Sequence, residues 1–232
     1  MARMVLRGVS RVDILSHTAR RVTGLEGDPQ NVLRSKNFGG GKPGRTPAEV
    51  PIRGYTKIQD ANKAFNFDFR NKVVLDIGSS TGGFTKFALE KGAKKVIAVE
   101  KGTNQMEKPL RFDPRIDLHE KTDIFDVVTK TDIILADVSF LSLTKILKYA
   151  KINLARSNTD FLVMLKPQFE ARPDQLNKGI VKNESIRRDI IKNFETWLRK
   201  NGFIIIKKRD NSLQGKHGNK ERFYWLKLVK EK

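Results

Sequence analysis

Cysteine is absent from the 232-residue chain. Disulfides and thiolate chemistry are thereby excluded, and the composition suits a reducing compartment. Long apolar runs are missing as well. The longest, "FLVML" at 161–165, falls far short of the ~20 residues that span a bilayer. The first residues carry arginines but no apolar core of a secretory signal, so the expected location is the cytoplasm, with no membrane partner. Histidine is scarce: His17, His119 and His217 are scattered, and no His or acid cluster has metal-ligand spacing. Acidic residues are in deficit. Against 46 Lys and Arg stand 26 Asp and Glu, a formal net charge of +20. Such a surface attracts polyanions, nucleic acid foremost, because phosphate contacts supply affinity that is independent of sequence.

With 38% hydrophobic residues, the chain can build one full domain and a small appendage. Residues 1–50 stand apart. "NFGGGKPGRTP" at 37–47 is turn and linker chemistry, and "SRVDILSHTARRV" before it has the makings of one short helix. The segment is too small for a good core, and reads as a basic arm or a worn-down small domain.

From Lys72 onward, strands and helices alternate. "KVVLDI", "KVIAVE", "RIDLHE", "TDIILADV" and "TDFLVMLK" read as strands, the last continuously apolar as in the centre of a covered sheet. Helices are expected over 82–91, 105–112, 142–153 and 184–201, the last capped by Asn183 or Ser185 and closed by Gly202. "FIIIKK" and "RFYWLKLVK" finish as strands joined by a Gly-rich turn, so one of them should run antiparallel. Repeated βα units imply a doubly wound, mostly parallel α/β sheet.

The first of these strands delivers "LDIGSSTGGFT" at 75–85. Open α/β sheets bind ligands beyond the carboxyl ends of their strands, and Asp76, Gly78, Ser79, Ser80, Thr81, Gly82, Gly83 and Phe84 lie at such an end. The loop is not G-x-G-x-x-G. A dinucleotide needs this place free for a pyrophosphate at the helix N-terminus. Asp76 puts a carboxylate there instead, which favours the ammonium and sulfonium of S-adenosylmethionine over NAD. Glu100, at the end of the next strand, suits the hydroxyls of an adenosine ribose, though it does not separate the two cofactors. Asp123, after the third strand, is placed to meet the adenine amino group. An ordinary strand-to-helix turn with an incidental acid explains the loop alone less well once Glu100 is counted.

Three further strand ends look chemical. Asp137 closes the apolar strand of "LADVSFLSL". Lys166 tops the most apolar strand, where Pro167 stops the ladder, and lysine rarely sits there without a partner. Glu221, in "HGNKERF", starts the last strand. If that strand is antiparallel, its start shares the sheet edge with the other strand ends. Lysines and acids around one hydroxyl suit an in-line displacement, in which the nucleophile must be positioned and lose a proton.

These residues carry a resemblance. "RGYTKIQDA", "LDIGSSTGGFTKFALEKGAKKVIAVEKG", "LRFDPRI", "ADVSFLSLTKIL", "LKPQFE", "KGIVKN" and "GNKERFYWL" follow one another from residue 53 to 228. In this the chain resembles the haemolysin TlyA family, within the FtsJ-like ribose 2′-O-methyltransferases. The resemblance implies a Rossmann-like class I methyltransferase domain over 51–232, with a seven-stranded sheet and one antiparallel strand. It implies a catalytic tetrad of Lys57, Asp137, Lys166 and Glu221, with Lys166 central; Lys57 comes from the resemblance alone. It implies S-adenosylmethionine as cofactor, cytidine ribose in ribosomal RNA as acceptor, and ribosomal RNA or ribosomal subunits as partners. Departures are "IRGYTKI" where the family has "SRGGLKL", and "EKGTNQM" in place of "DVGYGQL", which makes the ribose acid Glu100 rather than Asp. The family's S4-type RNA-binding domain is echoed in 1–50 only by "RVDIL" and "GKPGRTPAEV". The rival readings are a non-catalytic RNA-binding or ribosome-assembly factor, an NAD-dependent oxidoreductase, and membrane lysis. The tetrad, the missing dinucleotide fingerprint and the missing apolar span argue against each in turn.

Overall fold

The computed structural model describes residues 4–5, 52–215 and 218–229. Apart from Met4–Val5, the expected basic segment 1–50, with His17, lies outside the described residues, as does His217. In chain order the strands are β1 (Met4–Val5), β2 (Val73–Ile77), β3 (Lys95–Val99), β4 (Ile116–His119), β5 (Val127–Val128), β6 (Thr131–Ala136), β7 (Ala155–Leu165), β8 (Leu176–Asn177), β9 (Ile180–Val181), β10 (Phe203–Asp210) and β11 (Arg222–Leu228). The helices are α1 (Arg53–Phe65), α2 (Gly83–Glu90), α3 (Lys108–Arg111), α4 (Leu143–Asn153), α5 (Pro167–Glu170) and α6 (Glu184–Lys200).

Seven strands form one sheet in the order β10-β11-β7-β6-β2-β3-β4. All are mutually parallel except β11, which runs antiparallel to both β10 and β7, so the expected reversed strand is the last one. Side chains alternate between two layers with the period of two that a strand imposes. Val74, Leu135, Leu162 and Phe223 pack under α1 and α2 with Ile58, Phe65 and Phe87. Leu75, Ile134, Phe161 and Tyr224 face α4 and α6 with Leu147, Phe194 and Leu198. Both faces are covered, which is why these strands read as unbroken apolar runs. Each fully buried Phe or Leu contributes about 1.5–3 kcal/mol through removal of its surface from water.

Local chemistry explains the element ends. The Asn183 side chain accepts from Ile186 N at 2.9 Å and caps α6, and Gly202 follows the helix with φ 77°. Helix α3 is shorter than the expected 105–112, because Asn104 turns the chain at φ 54° and the helix starts only beyond Glu107, with Pro109 in its first turn. Helix α1 carries Ile58, Ala61 and Phe65 on one buried face and ends at Asn66 in a left-handed conformation.

After β2 the chain builds outward through β3 and β4, then crosses to the other side of β2 with β6 and β7. Strand order therefore reverses between β2 and β6. A crevice opens beyond the carboxyl ends of the strands at such a point.

Candidate active site

That crevice is a cleft of about 790 Å³, a size suited to a small organic ligand. The loop after β2 gives it Gly78, Ser79, Ser80, Thr81, Gly83 and Phe84; β3 and β6 deliver Glu100 and Asp137; Asp123 stands opposite; Lys57 comes from α1 and Lys166 from the end of β7. Glu221, Asp76 and Gly82 do not line it.

The four tetrad residues form one chain of alternating charge. Lys57 Nζ donates to Glu221 Oε2 at 2.7 Å and lies 3.8 Å from Asp137 Oδ2. Asp137 Oδ1 lies 2.7 Å from Lys166 Nζ. The Lys57 and Glu221 side chains are 7% and 3% exposed. Two charges so far from water persist only when each meets its opposite, and truncating one partner strands the other. Lys166 and Asp137 are nearer the opening. The Lys166–Asp137 contact is an ion pair without hydrogen-bond alignment, so Asp137 Oδ1 retains capacity for a further donor. Lys166 Nζ donates instead to Ser139 Oγ at 3.0 Å and stands 5.9 Å from the centre of the Phe169 ring.

The loop at 78–83 is shaped by its small residues. Gly78 and Gly82 have φ of 78° and 90°, which L side chains rarely adopt. Gly78 N and Ser79 N both donate to Val99 O, at 2.9 and 3.2 Å, so the loop is tied to the end of β3. Glu100 faces the loop from there, accepting from Ser80 N at 3.0 Å and from Gly102 N at 2.7 Å. Asp123 accepts from Phe125 N at 3.2 Å and pairs with Lys101 Nζ at 3.0 Å. Ser79 Oγ is buried in the cleft wall without a hydrogen-bond partner. An unsatisfied buried hydroxyl is costly, so it marks a place for a polar ligand atom.

Asp76 sits beneath this loop rather than in it. Its carboxylate is 1% exposed and accepts from Thr85 Oγ1 at 2.7 Å. Burial pushes its pKa up to about 7, the Thr85 hydroxyl opposes that rise, and the Asp137 charge adds to it. A carboxyl that titrates higher in the fold than in the open chain favours the fold while protonated. Its contribution is complete below about pH 4 and is lost as pH rises through about 7. Asp76→Asn is isosteric with the protonated form. The melting temperature of Asp76→Asn minus that of the parent should therefore grow from pH 5 to pH 8. A difference independent of pH would show that Asp76 is ionised throughout.

Several cleft residues carry no signal in sequence periodicity. Phe140 is 90% exposed and holds φ 63°, a strained conformation for a bulky residue. Its ring lies 5.2 Å from that of Phe169. Gln105 joins Ser80 to Glu100, with contacts of 3.1 and 3.4 Å. Arg53 Nη2 donates to Gln214 O at 2.6 Å and ties the start of α1 to the loop before Glu221.

An open parallel sheet with a reversed last strand, a small-residue loop at its switch point and an acid after the next strand defines the Rossmann-like methyltransferase fold. Residues 51–228 match the FtsJ-like methyltransferase family, and the chain belongs to that family. It is 36% identical over 177 residues to the 23S rRNA (cytidine-2′-O)-methyltransferase TlyA of Campylobacter jejuni, spanning 75% of this chain and 69% of that protein. It is 32% identical over 181 residues to the 16S/23S rRNA (cytidine-2′-O)-methyltransferase TlyA of Mycobacterium tuberculosis, spanning 75% of this chain and 67% of that protein. A solved structure from Streptococcus thermophilus, described as a hemolysin, matches with a TM-score of 0.74 at 32% identity over 81% of this chain and 70% of that one. Among the described residues, no helix is long and apolar enough to cross a membrane.

Proposed function

We propose that this protein transfers a methyl group from S-adenosylmethionine to a ribose 2′-hydroxyl of RNA, with cytidine of ribosomal RNA as the acceptor. The observation that carries the reading is the chain Glu221–Lys57–Asp137–Lys166, which ends with a lysine at the mouth of the cleft. The two relatives described as rRNA (cytidine-2′-O)-methyltransferases supply the acceptor. Residues 51–232 form the methyltransferase domain in this reading, and the basic residues of 1–50 add affinity for phosphates.

The cleft suits the cofactor. Glu100 would take the ribose hydroxyls, Asp123 the adenine amino group, and Ser79 a polar atom of the amino-acid end, above the buried Asp76. S-adenosylmethionine supplies a methyl group on a cationic sulfur that leaves as a neutral thioether. The Lys166 nitrogen, once its ammonium has given up a proton to solvent, accepts the hydroxyl proton while the oxygen takes the methyl group. Glu221 holds Lys57, and Lys57 and Lys166 share Asp137, so the proton acceptor is fixed before substrate arrives.

A hydroxyl inside folded RNA reaches this cleft only if its nucleotide is splayed from the stack. Phe140 and Phe169 offer the aromatic face on which such a base can stack. Stacking is worth about 1–3 kcal/mol per base. Phe140→Ala should therefore lower kcat/KM for RNA about 5- to 150-fold. Its S-adenosylmethionine affinity, read by calorimetry, should stay at the parent value. Equal losses in both would place Phe140 in the fold of the loop instead.

The test is transfer of tritium from methyl-labelled S-adenosylmethionine into purified rRNA and ribosomal subunits, followed by digestion to nucleosides. Label in 2′-O-methylcytidine is expected. Cofactor binding with no label in any RNA would remove the enzymatic reading and favour an RNA-binding role on this fold.

A further inference from the structure

Lysine is a poor aimed base unless something directs its nitrogen. The amine caps a flexible four-carbon stem and turns freely about its last bond. At Lys166 two neighbours restrict that turn. Asp137 Oδ1 lies 2.7 Å from Nζ on one side, and Ser139 Oγ accepts from Nζ at 3.0 Å on another. Both come from the loop that leaves β6, the parallel neighbour of β7, which Lys166 follows directly. That loop is held at its base by Asp137 N donating to Ile77 O at 3.3 Å. The Lys166 contact is the only side-chain hydrogen bond of Ser139 among the described residues, and Ser139 is itself exposed in the cleft wall. Nothing in the core depends on it.

We propose that Ser139 is a positioning residue, which aims the Lys166 nitrogen at the acceptor hydroxyl. The inference rests on the methyl-transfer reading above. A neutral amine has two N–H bonds and one lone pair. With one N–H held by Ser139 and the nitrogen drawn to one side by the Asp137 charge, which it meets without hydrogen-bond alignment, the directions open to the lone pair narrow toward the cleft. As the hydroxyl oxygen forms its bond to the methyl carbon and the carbon–sulfur bond breaks, the O–H proton passes to that lone pair. The resulting ammonium keeps both contacts, so Lys166 need not rotate during the step. Without the Ser139 oxygen the amine is held on one side only, and its lone pair spends most of its time misdirected. Ser139 touches no reacting atom in this account.

The test is single-turnover methyl transfer to rRNA by Ser139→Ala, Ser139→Thr and Lys166→Ala in the full-length protein, with cofactor affinity measured on each. Loss of one hydrogen bond to a charged or reacting group corresponds to a rate lower by about 10- to 100-fold. Ser139→Ala should show that loss in the transfer rate, with half-saturation for RNA and affinity for S-adenosylmethionine within twofold of the parent. Ser139→Thr keeps an oxygen on the same carbon and should recover most of the rate. An unchanged rate in Ser139→Ala, a loss confined to RNA half-saturation, or failure of threonine to rescue would each overturn the proposal. Lys166→Ala separates the two levels. If that variant still turns over, the methyl-transfer chemistry assigned to Lys166 fails. If it is dead while Ser139→Ala is fully active, only the positioning role fails.

Discussion

Lys166→Ala should lose methyl transfer and keep its cofactor. The expected fall in kcat is about 10²- to 10⁴-fold, the range that a positioned proton acceptor supplies. The position explains why the two properties separate. Lys166 lies just past the end of β7, on the side of the cleft that Asp137 and Ser139 line, with the Phe169 ring 5.9 Å from its nitrogen. The loop of 78–83 and Glu100 form the other side and touch it nowhere in the hydrogen-bond network. Calorimetric binding of S-adenosylmethionine should therefore match the parent. Lys166→Arg is expected to fail as well, because a guanidinium stays protonated and cannot accept a proton at working pH. The fold should tolerate either change, since neighbouring Leu165, not the Lys166 head group, fills the core. Turnover within tenfold of the parent in Lys166→Ala would take the residue out of the chemistry, and would leave the cation to balance the charge of Asp137.

The strand ends were legible in the sequence because a parallel sheet sends every carboxyl end to one edge. Asp137 and Lys166 needed only the βα alternation to be placed together, and Glu221 needed one antiparallel strand. Lys57 is different in kind. It sits on a helix that begins without a capping side chain, ahead of the alternating region, and its partner Glu221 is 164 residues away. No local period reports a contact of that span, so only the resemblance reached it. Asp76 shows the opposite failure. An acid at a strand end reads as facing the ligand, yet the pleat and the following helix turn it inward to Thr85. Ser139 and Phe140 sit inside a legible motif, but their use depends on one backbone angle. The φ of 63° at Phe140 is what projects its ring into solvent beside the cleft, and a sequence period carries no such angle.

Gly83→Ala should damage stability and activity together, through a helix that the substitution does not belong to. A Cβ at residue 83 would stand 2.5 Å from Tyr55 N, 2.8 Å from Gly54 C and 2.9 Å from Gly54 Cα. Real Cβ atoms do not approach so closely, and all three atoms are α1 backbone, which has no rotamer with which to yield. Helix α1 must move away from α2. Overpacking of this kind costs about 1–3 kcal/mol. Alanine also favours a helix over glycine by about 1 kcal/mol in the interior. Residue 83 is the first position of α2, where that gain is smallest, so the clash dominates. A net loss near 1–3 kcal/mol corresponds to a melting temperature lower by about 2–12 °C in a chain of this size. The catalytic cost follows from what α1 carries. Lys57 lies two residues beyond Tyr55, and its 2.7 Å bond to Glu221 and 3.8 Å approach to Asp137 cannot both survive a shift approaching 1 Å. Misplacement on that scale lowers turnover by about 10²-fold. Gly54→Ala is the control: its Cβ would meet Gly83 Cα at 3.5 Å and Phe84 at 3.6 Å, ordinary contact distances, so it should fold and turn over like the parent. If Gly83→Ala melts at or above the parent temperature with full activity, α1 and α2 are not locked through this glycine. Lys57 would then owe its position to Glu221, to Asp137 and to the packing of α1 on the sheet.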